Sequence, residues 1–235
     1  MTTPTVLAII PARSGSKRLK HKNTLMLRGK PLVQWSIDAA LASSVVTETV
    51  LSSDDAFIED LCSKQGLPFI KRPAQLATDT ATSMDVVIHV LDHYKAKGRH
   101  FDYVLLLQPT SPLRTARHID EAFSLLSTKG CDGVLSVCEC ADHPYWSKAL
   151  DDDLNMKNFL PSDYQSTRKQ DLPKYYKLNG AIYLHRYDAI MNEKTFFLSD
   201  NIYAYLMSAE ASVDVDTELD FRFAECLLEH NANNL

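Results

Sequence analysis

The sequence predicts an α/β fold with three layers, in which a mainly parallel sheet lies between two layers of helices. Short apolar runs of strand length alternate along the chain with longer segments whose apolar residues recur at helical spacing. This alternating order favours parallel strands joined by right-handed crossovers. With 235 residues, the chain is long enough for one large domain with a sizeable hydrophobic core.

Five strands are predicted in the first 138 residues, because five short apolar segments are each bounded by polar or turn residues. They cover residues 5–10, 48–52, 68–71, 103–108 and 133–138. The fourth of these strands is apolar along most of its length, as expected for a central strand that helices cover on both faces.

Four helices are predicted between these strands, over residues 31–42, 56–65, 83–97 and 116–129. Pro31 stands in the first turn of the first helix, where its missing N–H costs nothing. Gly66 and Gly130 follow the second and fourth helices, where glycine commonly ends a helix. The third helix carries an apolar stripe at helical spacing between Val86 and Tyr94.

The alternating pattern breaks after residue 138. Residues 139–178 contain several prolines and an acidic run and show little periodicity, and a long irregular stretch of this kind is usually functional or part of an interface. Further strands are predicted at 181–185, 202–207 and 213–215, and a last helix at 218–229. We therefore predict one α/β domain from residues 1–138 and 179–235, with 139–178 as an inserted excursion that serves as a dimer contact.

Composition excludes several classes of function. The apolar fraction of 45% and the charged fraction of 23% are ordinary for a globular protein. A net charge of −5 argues against a general nucleic-acid binder, which needs a broad basic face. There is no apolar run of membrane-spanning length and no secretory signal pattern. Five cysteines at irregular spacings fit a reduced, cytoplasmic setting.

The loop after the first strand is strongly basic. Residues 13–22 contain five lysines or arginines with small residues between them. Small residues let backbone N–H groups approach an anion that the cations neutralise, and ligands in α/β sheets bind at the carboxyl ends of strands. The loop matches neither a Walker A motif nor a dinucleotide fingerprint. It predicts a polyphosphate site in which Arg13, Lys17 and Lys22 are the best phosphate ligands, with a solvated basic turn as the alternative.

Asp214 and Asp216 alternate with Val213 and Val215 near the end of the chain. In a strand, this spacing would place the valines in the core and both carboxylates on the other face, with Cα atoms about 6.5–7 Å apart. Two carboxylates this close favour a shared cation, and Mg²⁺ typically takes one or two carboxylates together with phosphate oxygens. The alternative is an exposed strand end whose acidic side chains only face water.

A proline-rich segment, residues 107–114, follows the predicted central strand. Its two prolines stiffen the turn and bias Gln108 and Ser111 toward extended geometry. Gln108 either hydrogen-bonds a sugar at the carboxyl edge of the sheet or belongs to the architecture of the turn, and chemistry alone leaves both open.

Five motifs together resemble the acylneuraminate cytidylyltransferases, also called CMP-sialic acid synthetases. They are residues 10–17 with Lys22 and Asn23, then 72–80, 107–115, 179–183 and 213–217, and they come in the family's order over nearly the whole chain. The 3-deoxy-octulosonate cytidylyltransferases are a poorer match, because they typically have proline where this chain has Asn23. Ser14 stands where many relatives have glycine, a difference expected to matter little.

The resemblance implies a fold and a set of site residues. The fold is a Rossmann-like sheet of the nucleotide-diphospho-sugar transferase type. CTP phosphates would meet Arg13, Ser16, Lys17 and Lys22. Cytosine and ribose would meet Asn23, Arg72 and Ser83. The acid sugar would meet Gln108, Tyr183, Phe197 and Arg168, with Arg168 facing the sugar carboxylate, and Asp214 and Asp216 would carry Mg²⁺.

The implied reaction joins CTP to a nine-carbon 2-keto acid sugar and releases pyrophosphate. Positioning and charge neutralisation drive such transfers, so Lys17 and Arg13 are expected to offset charge on the leaving group. Asp214 or Asp216 would take the hydroxyl proton, with Asp216 favoured. The alternatives are transfer to legionaminic, pseudaminic or octulosonic acid, and a protein that binds CTP without chemistry. Residues 139–178 match the segment that relatives use for dimer contact, so we expect a homodimer.

Overall fold

A computed structural model describes residues 3–157, 159–160 and 167–233 of the chain. The parallel strands of its first half form as predicted, within one or two residues at each end. These described residues form nine strands: β1 (Val6–Pro11), β2 (Met26–Leu27), β3 (Lys30–Pro31), β4 (Glu48–Ser53), β5 (Phe69–Lys71), β6 (Tyr103–Leu106), β7 (Gly133–Glu139), β8 (Tyr176–Arg186) and β9 (Ile202–Leu206).

Six α-helices accompany these strands in the described part of the chain. They are α1 (Leu32–Leu41), α2 (Ala56–Gln65), α3 (Ser83–Ala96), α4 (Ala116–Lys129), α5 (Tyr187–Glu193) and α6 (Glu218–Asn233). Helices α2 and α4 have the predicted bounds, and Gly66 and Gly130 end them in the left-handed conformation. Pro31 proves to be the residue before α1 rather than its first helical residue.

Seven strands form one sheet in the order β5-β4-β1-β6-β8-β7-β9. Strands β5, β4, β1 and β6 are mutually parallel, β8 is antiparallel to both β6 and β7, and β7 and β9 are parallel. The carboxyl ends of β1, β4 and β6 therefore lie side by side at one edge, where the basic loop and the proline-rich segment begin.

Helices cover both faces of the sheet, which confirms the predicted three-layer architecture. In β1, Val6, Ala8 and Ile10 face the layer formed by α1, α2 and α4, and Leu7 and Ile9 face α3 and α5. The twofold alternation of a strand explains this division of apolar residues between two cores. A smaller third cluster joins α6 to α1 and to the segment around Val213 and Val215.

Two predictions about the second half of the chain were wrong in detail. Strand β8 begins at Tyr176 instead of 181, because its first residues pair with the end of β7 at Glu139. The ribbon of β7 and β8 thus reaches into the predicted 139–178 excursion. Residues 213–215 do not form a strand. The Val215 N–H donates to the Thr110 carbonyl at 2.8 Å, and Thr110 lies in the proline-rich segment after β6 and not in a strand.

No helix within the described residues is long and apolar enough to cross a membrane. All five cysteines are free thiols, three of them buried. The remainder of the excursion that the structure describes contains two short 3-10 helices, Pro144–Trp146 and Lys169–Asp171, and residues 158 and 161–166 of the predicted dimer contact lie outside the described residues.

Candidate active site

A cavity of about 460 Å³ opens at the carboxyl edge of the parallel strands. The basic loop forms one wall, the start of α3 a second wall, and the proline-rich segment with Asp216 closes the far side. Nine of the thirteen predicted site residues line it: Arg13, Ser16, Lys17, Lys22, Asn23, Arg72, Ser83, Gln108 and Asp216. Residues separated by up to about two hundred positions in the sequence therefore share one hollow.

Four cations of the basic loop are paired with carboxylates from the opposite side of the cavity. Arg13 and Lys17 each lie 2.9 Å from Asp79. Lys22 and Arg18 lie 2.7 Å and 3.1 Å from Asp216. Most of these side chains are substantially exposed, and exposed ion pairs contribute little to stability. Phosphate oxygens can therefore replace the carboxylates at small energetic cost.

Asp79 is a site residue that sequence reasoning did not assign. Its acidic side chain lies among cations expected to bind phosphate, and the two cations hold its pKa below the ordinary value, Lys17 more than Arg13. Arg13 also donates to the Thr78 carbonyl at 3.0 Å. Asp79 lies within the 72–80 motif, so its position in that motif was the available signal.

Asn23 and Arg72 are buried at the base of the cavity, at 7% and 6% exposure. Asn23 donates its amide to the Arg13 carbonyl at 2.9 Å and so fixes the backbone of the basic loop. Arg72 donates to the Ser52 carbonyl at 2.8 Å. Burial lowers the pKa of Arg72, and the nearby Asp54 carboxylate opposes this effect. Both residues combine a structural contact with a surface that faces the cavity.

Residues 213–216, the carboxylate segment, alternate buried valines with more exposed aspartates as predicted, although they do not form a strand. Val213 and Val215 are buried, Asp216 is half-buried in the cavity wall, and Asp214 is open to solvent. Asp220 caps the start of α6 by accepting the Thr217 N–H at 2.7 Å, and its carboxylate also accepts the Asp216 N–H at 3.1 Å. This second contact fixes the backbone that presents the two acids.

Desolvation by surrounding protein atoms raises the pKa of Asp214, although the residue as a whole is exposed. The negative charge of Asp216 acts in the same direction, whereas a hydrogen bond from Thr110 and the positive Lys22 oppose it. The pKa of Tyr183 is also raised, first by burial and then by the charge of Asp214. Tyr183 and Asp214 are therefore close enough to interact electrostatically, and neither is among the residues that line the cavity.

Phe197 and Arg168 are not brought to this cavity in the described part of the chain. Phe197 is 59% exposed and follows Phe196, whose ring packs 5.0 Å from that of Tyr183. Arg168 is exposed beside the short helix Lys169–Asp171. The structure thus joins the predicted phosphate, base and Gln108 positions, and leaves the other three predicted sugar contacts, Arg168, Tyr183 and Phe197, outside the lining of the cavity.

Gln108 is half-buried in the cavity wall, and its side chain lies against Gly180. A Cβ atom on Gly180, whose φ is +74°, would stand 2.7 Å from the Gln108 Oε1 atom. The Gln108 carbonyl accepts hydrogen bonds from the buried Arg114 at 3.2 Å and from Ser36 at 3.3 Å. The backbone of Gln108 is therefore held from behind while its carboxamide faces the glycine.

Comparison with known proteins identifies relatives of this chain. The chain is 39% identical to an N-acylneuraminate cytidylyltransferase of Streptococcus agalactiae over 92% of its residues, but spans only 51% of that relative's length. It is 38% identical to a CMP-N,N'-diacetyllegionaminic acid synthase of Legionella pneumophila over 98% of its residues and 99% of that relative. Thus the chain spans about half of the first relative and nearly all of the second.

A solved structure with a similar fold is a CMP:2-keto-3-deoxy-manno-octonic acid synthetase complexed with CTP. It superposes with a TM-score of 0.72 at 19% identity and covers 97% of this chain and 99% of the other. The family model described as cytidylyltransferase matches residues 7–232. From this match and the identities above, the chain belongs to the cytidylyltransferase family.

Proposed function

We propose that the protein transfers CMP from CTP to the anomeric hydroxyl of a nine-carbon 2-keto acid sugar, N-acetylneuraminate or a close relative, and releases pyrophosphate. The observation that carries this proposal is the shared cavity, in which Lys17 and Lys22 face Asp216 across one hollow. Two of the relatives are named for acid sugars of this class.

CTP would enter with its triphosphate along the basic loop. Its phosphates would replace Asp79 as the partner of Arg13 and Lys17. Ser16 and Lys22 would complete the anion site. Asn23, Arg72 and Ser83 lie deeper or at the start of α3, where they would meet the ribose and cytosine. Arg can hold two phosphate oxygens at once, whereas Lys acts as a point charge.

Transfer would proceed by in-line attack of the sugar hydroxyl on the α-phosphorus, with pyrophosphate as the leaving group. Lys17 and Arg13 would stabilise negative charge that grows on pyrophosphate. Asp214 or Asp216 would accept the proton of the sugar hydroxyl, and Asp216, which lines the cavity beside the basic loop, is the favoured acceptor.

The donor set fits Mg²⁺. The Asp214 and Asp216 carboxylates supply oxygen ligands from one short segment. The negative charge of Asp216 contributes to the raised pKa of Asp214. Within the described residues, no three histidine, cysteine or acidic side chains gather into a metal site, and Mg²⁺ in nucleotide sites typically needs only one or two carboxylates besides phosphate. Asp214 and Asp216 would hold the ion, which when bound polarises the α-phosphate.

The sugar site would include Gln108 and Tyr183, with Phe197 and Arg168 joining when substrate binds or when a second subunit contributes.

A homodimer is supported by exposed apolar side chains on the β7–β8 ribbon and the β9 edge, Tyr176, Leu178 and Leu206, since exposed apolar clusters often mark interfaces. Light scattering of the purified protein tests this, and a monomer at micromolar concentration would contradict it. The free thiols support a cytoplasmic location.

Pyrophosphate release from CTP with a panel of acid sugars tests the proposed activity. We expect turnover with N-acetylneuraminate or with legionaminic or pseudaminic acid, and little with octulosonic acid. Turnover with octulosonic acid alone would show that the proposed substrate is wrong. CTP binding without pyrophosphate release from any sugar would favour a nucleotide-binding protein without chemistry.

A further inference from the structure

The carboxylate of Asp54 fastens the basic loop to the neighbouring strand. Asp54 follows β4, which pairs with β1 so that Pro11 lies opposite Ser52. Its Oδ1 accepts the Ser14 backbone N–H at 2.9 Å, and its Oδ2 accepts the Ser14 hydroxyl at 2.6 Å. One acidic side chain thus holds both donors of a single loop residue.

This placement is unfavourable by charge alone. The loop gathers cations beside the cavity, and a fixed negative charge at its base weakens the potential that attracts an anion. We infer that Asp54 is a positioning residue that holds the basic loop in the shape that receives a polyphosphate, with the Ser14 hydroxyl as a second tether. This inference rests on the proposed function, because it assigns a geometric role within the same site.

Neighbouring contacts support the geometric role. The Ala12 N–H donates to the Ser52 carbonyl at 3.0 Å, and the Ala12 carbonyl accepts the Ser53 hydroxyl. Asn23 holds the Arg13 carbonyl. The loop is therefore fixed at three consecutive residues, of which Ser14 is the last before the stretch that carries Ser16 and Lys17 into the cavity. Asp54 supplies the final anchor.

Asp54 also faces the buried Arg72, which lines the same cavity. Partial burial alone would raise the pKa of Asp54, but the Ser14 hydrogen bonds and the positive Arg72 more than offset this and hold it below the ordinary value. The carboxylate therefore stays charged at neutral pH, with the basic loop on one side and Arg72 on the other. Ser14, expected to differ little from the glycine of relatives, makes a side-chain bond that glycine cannot make.

The two possible effects of Asp54 on anion binding have opposite signs. If Asp54 acts only through its charge, removing that charge strengthens anion binding. If Asp54 holds the loop, removing its oxygens weakens binding because the loop must be ordered by the ligand. Asp54→Asn keeps an oxygen acceptor and the shape while removing the charge. Asp54→Ala removes both, and Ser14→Ala removes only the hydroxyl tether.

Calorimetric titration with inorganic tripolyphosphate measures these effects without requiring turnover. We expect Asp54→Ala to weaken binding at least about tenfold and Ser14→Ala roughly fivefold, since hydrogen bonds to charged groups are the stronger ones. Asp54→Asn is expected to bind as tightly as the parent protein or more tightly. If Asp54→Ala cannot be obtained folded, Ser14→Ala and Asp54→Asn still decide the question.

The chain offers a matched control at the other end of β1. There the Thr5 N–H and hydroxyl both donate to Asp102 at 2.8 Å, in the same bonding pattern but outside the cavity. Asp102→Ala should lower stability without changing tripolyphosphate affinity. Tighter or unchanged binding by Asp54→Ala, unchanged binding by Ser14→Ala, or a parent protein that does not bind tripolyphosphate would overturn the inference. A parent that binds tripolyphosphate but makes no CMP-sugar would contradict only the proposed function.

Discussion

The Lys22 ammonium donates to the Asp216 carboxylate at 2.7 Å, across a separation of 194 residues in the sequence. The Lys22 side chain is only 13% exposed, far less than Arg18, which contacts the same carboxylate. This contact joins the basic loop to the carboxylate segment. Under the proposed function, a triphosphate that draws Lys22 away would leave the Asp216 carboxylate free to hold Mg²⁺.

Replacement of the paired acids tests the metal assignment. Asp214→Asn and Asp216→Asn should each abolish Mg²⁺-dependent turnover, because one carboxylate with a neutral amide binds the ion more weakly than two carboxylates. Initial rates over a Mg²⁺ titration check this. Asp220→Asn, which alters the nearby helix cap, is the control for local disturbance. Unchanged titration curves for both site variants would remove Mg²⁺ from these residues.

Lys17 is exposed and held only by Asp79 among the contacts described, so its removal should cost little stability. Lys17→Ala is expected to lower kcat by roughly 10²–10³-fold, the effect typical of a lost transition-state contact. Steady-state kinetics measures this, with Lys64→Ala as the control because Lys64 forms a comparable exposed pair with Asp60 on α2. Parental kcat in Lys17→Ala would exclude the role in leaving-group stabilisation.

Under the proposed function, Asp79 would compete with the phosphates of CTP for Arg13 and Lys17. Asp79→Asn should therefore lower the KM for CTP by about two- to fivefold, since each exposed pair is worth at most about 1 kcal/mol. The difference should shrink in high salt, which screens exposed charges. A rise in KM would instead indicate that Asp79 helps to arrange the two cations.

Gly180→Ala tests whether Gln108 contacts the sugar or only shapes the turn. The new Cβ would displace the Gln108 carboxamide, and we expect the KM for the acid sugar to rise about tenfold, the equivalent of a 1–2 kcal/mol steric change. Gly130 has a similar φ of +60° but open space around it. Gly130→Ala thus carries a comparable backbone strain of about 1–2 kcal/mol without moving Gln108. Equal sugar KM values in the two variants would assign Gln108 to architecture.

His185 should make the protein sensitive to acid. It is fully buried, its Nε2 lies 2.9 Å from the Phe196 carbonyl, and burial lowers its pKa to about 4. In the unfolded chain, the histidine pKa is about 6.5. Between about pH 4 and 6.5 the unfolded chain therefore binds more protons than the folded protein, so the free energy of unfolding decreases as the pH falls through this range. The full loss is on the order of 3 kcal/mol.

Urea unfolding across this pH range measures the effect. His185→Gln should show a flatter dependence of the unfolding free energy on pH, whereas the exposed His21→Gln should follow the parent protein. The same slope in His185→Gln and the parent would show that other groups cause the loss of stability.

Local patterns in the sequence were enough to predict much of the fold. Helices α2 and α4 were predicted with their observed bounds because apolar spacing and a following glycine are both local signals. The predicted strand at residues 213–215 was wrong, since alternation of Val213 and Val215 reports which side chains are buried and not whether the backbone pairs with a neighbouring strand. The start of β8 was missed because pairing with β7 extends it.

The candidate site divides in the same way. Lys17, Lys22 and Asp216 were predicted from charge and spacing, whereas Asp54 and Asp79 were not assigned. Asp54 belongs to an acidic pair, Asp54-Asp55, that follows a strand without any distinctive pattern, and Asp79 lay within the 72–80 motif without an assigned role. Their importance comes from the neighbours that the sheet brings to them. The pairing of β1 with β4 placed Asp54 beside Ser14, and no local signal specifies that register.

The sequence by itself determined the three-layer architecture, the basic character of the loop and the alternation of acids with valines, because each depends on residues close together in the chain. Only the tertiary structure decided which acid meets which cation, and it placed Asp79 and Asp216 against different pairs of cations. A direct ion pair needs its charged atoms within about 4 Å of each other, so these partners are fixed by the distances that the fold imposes.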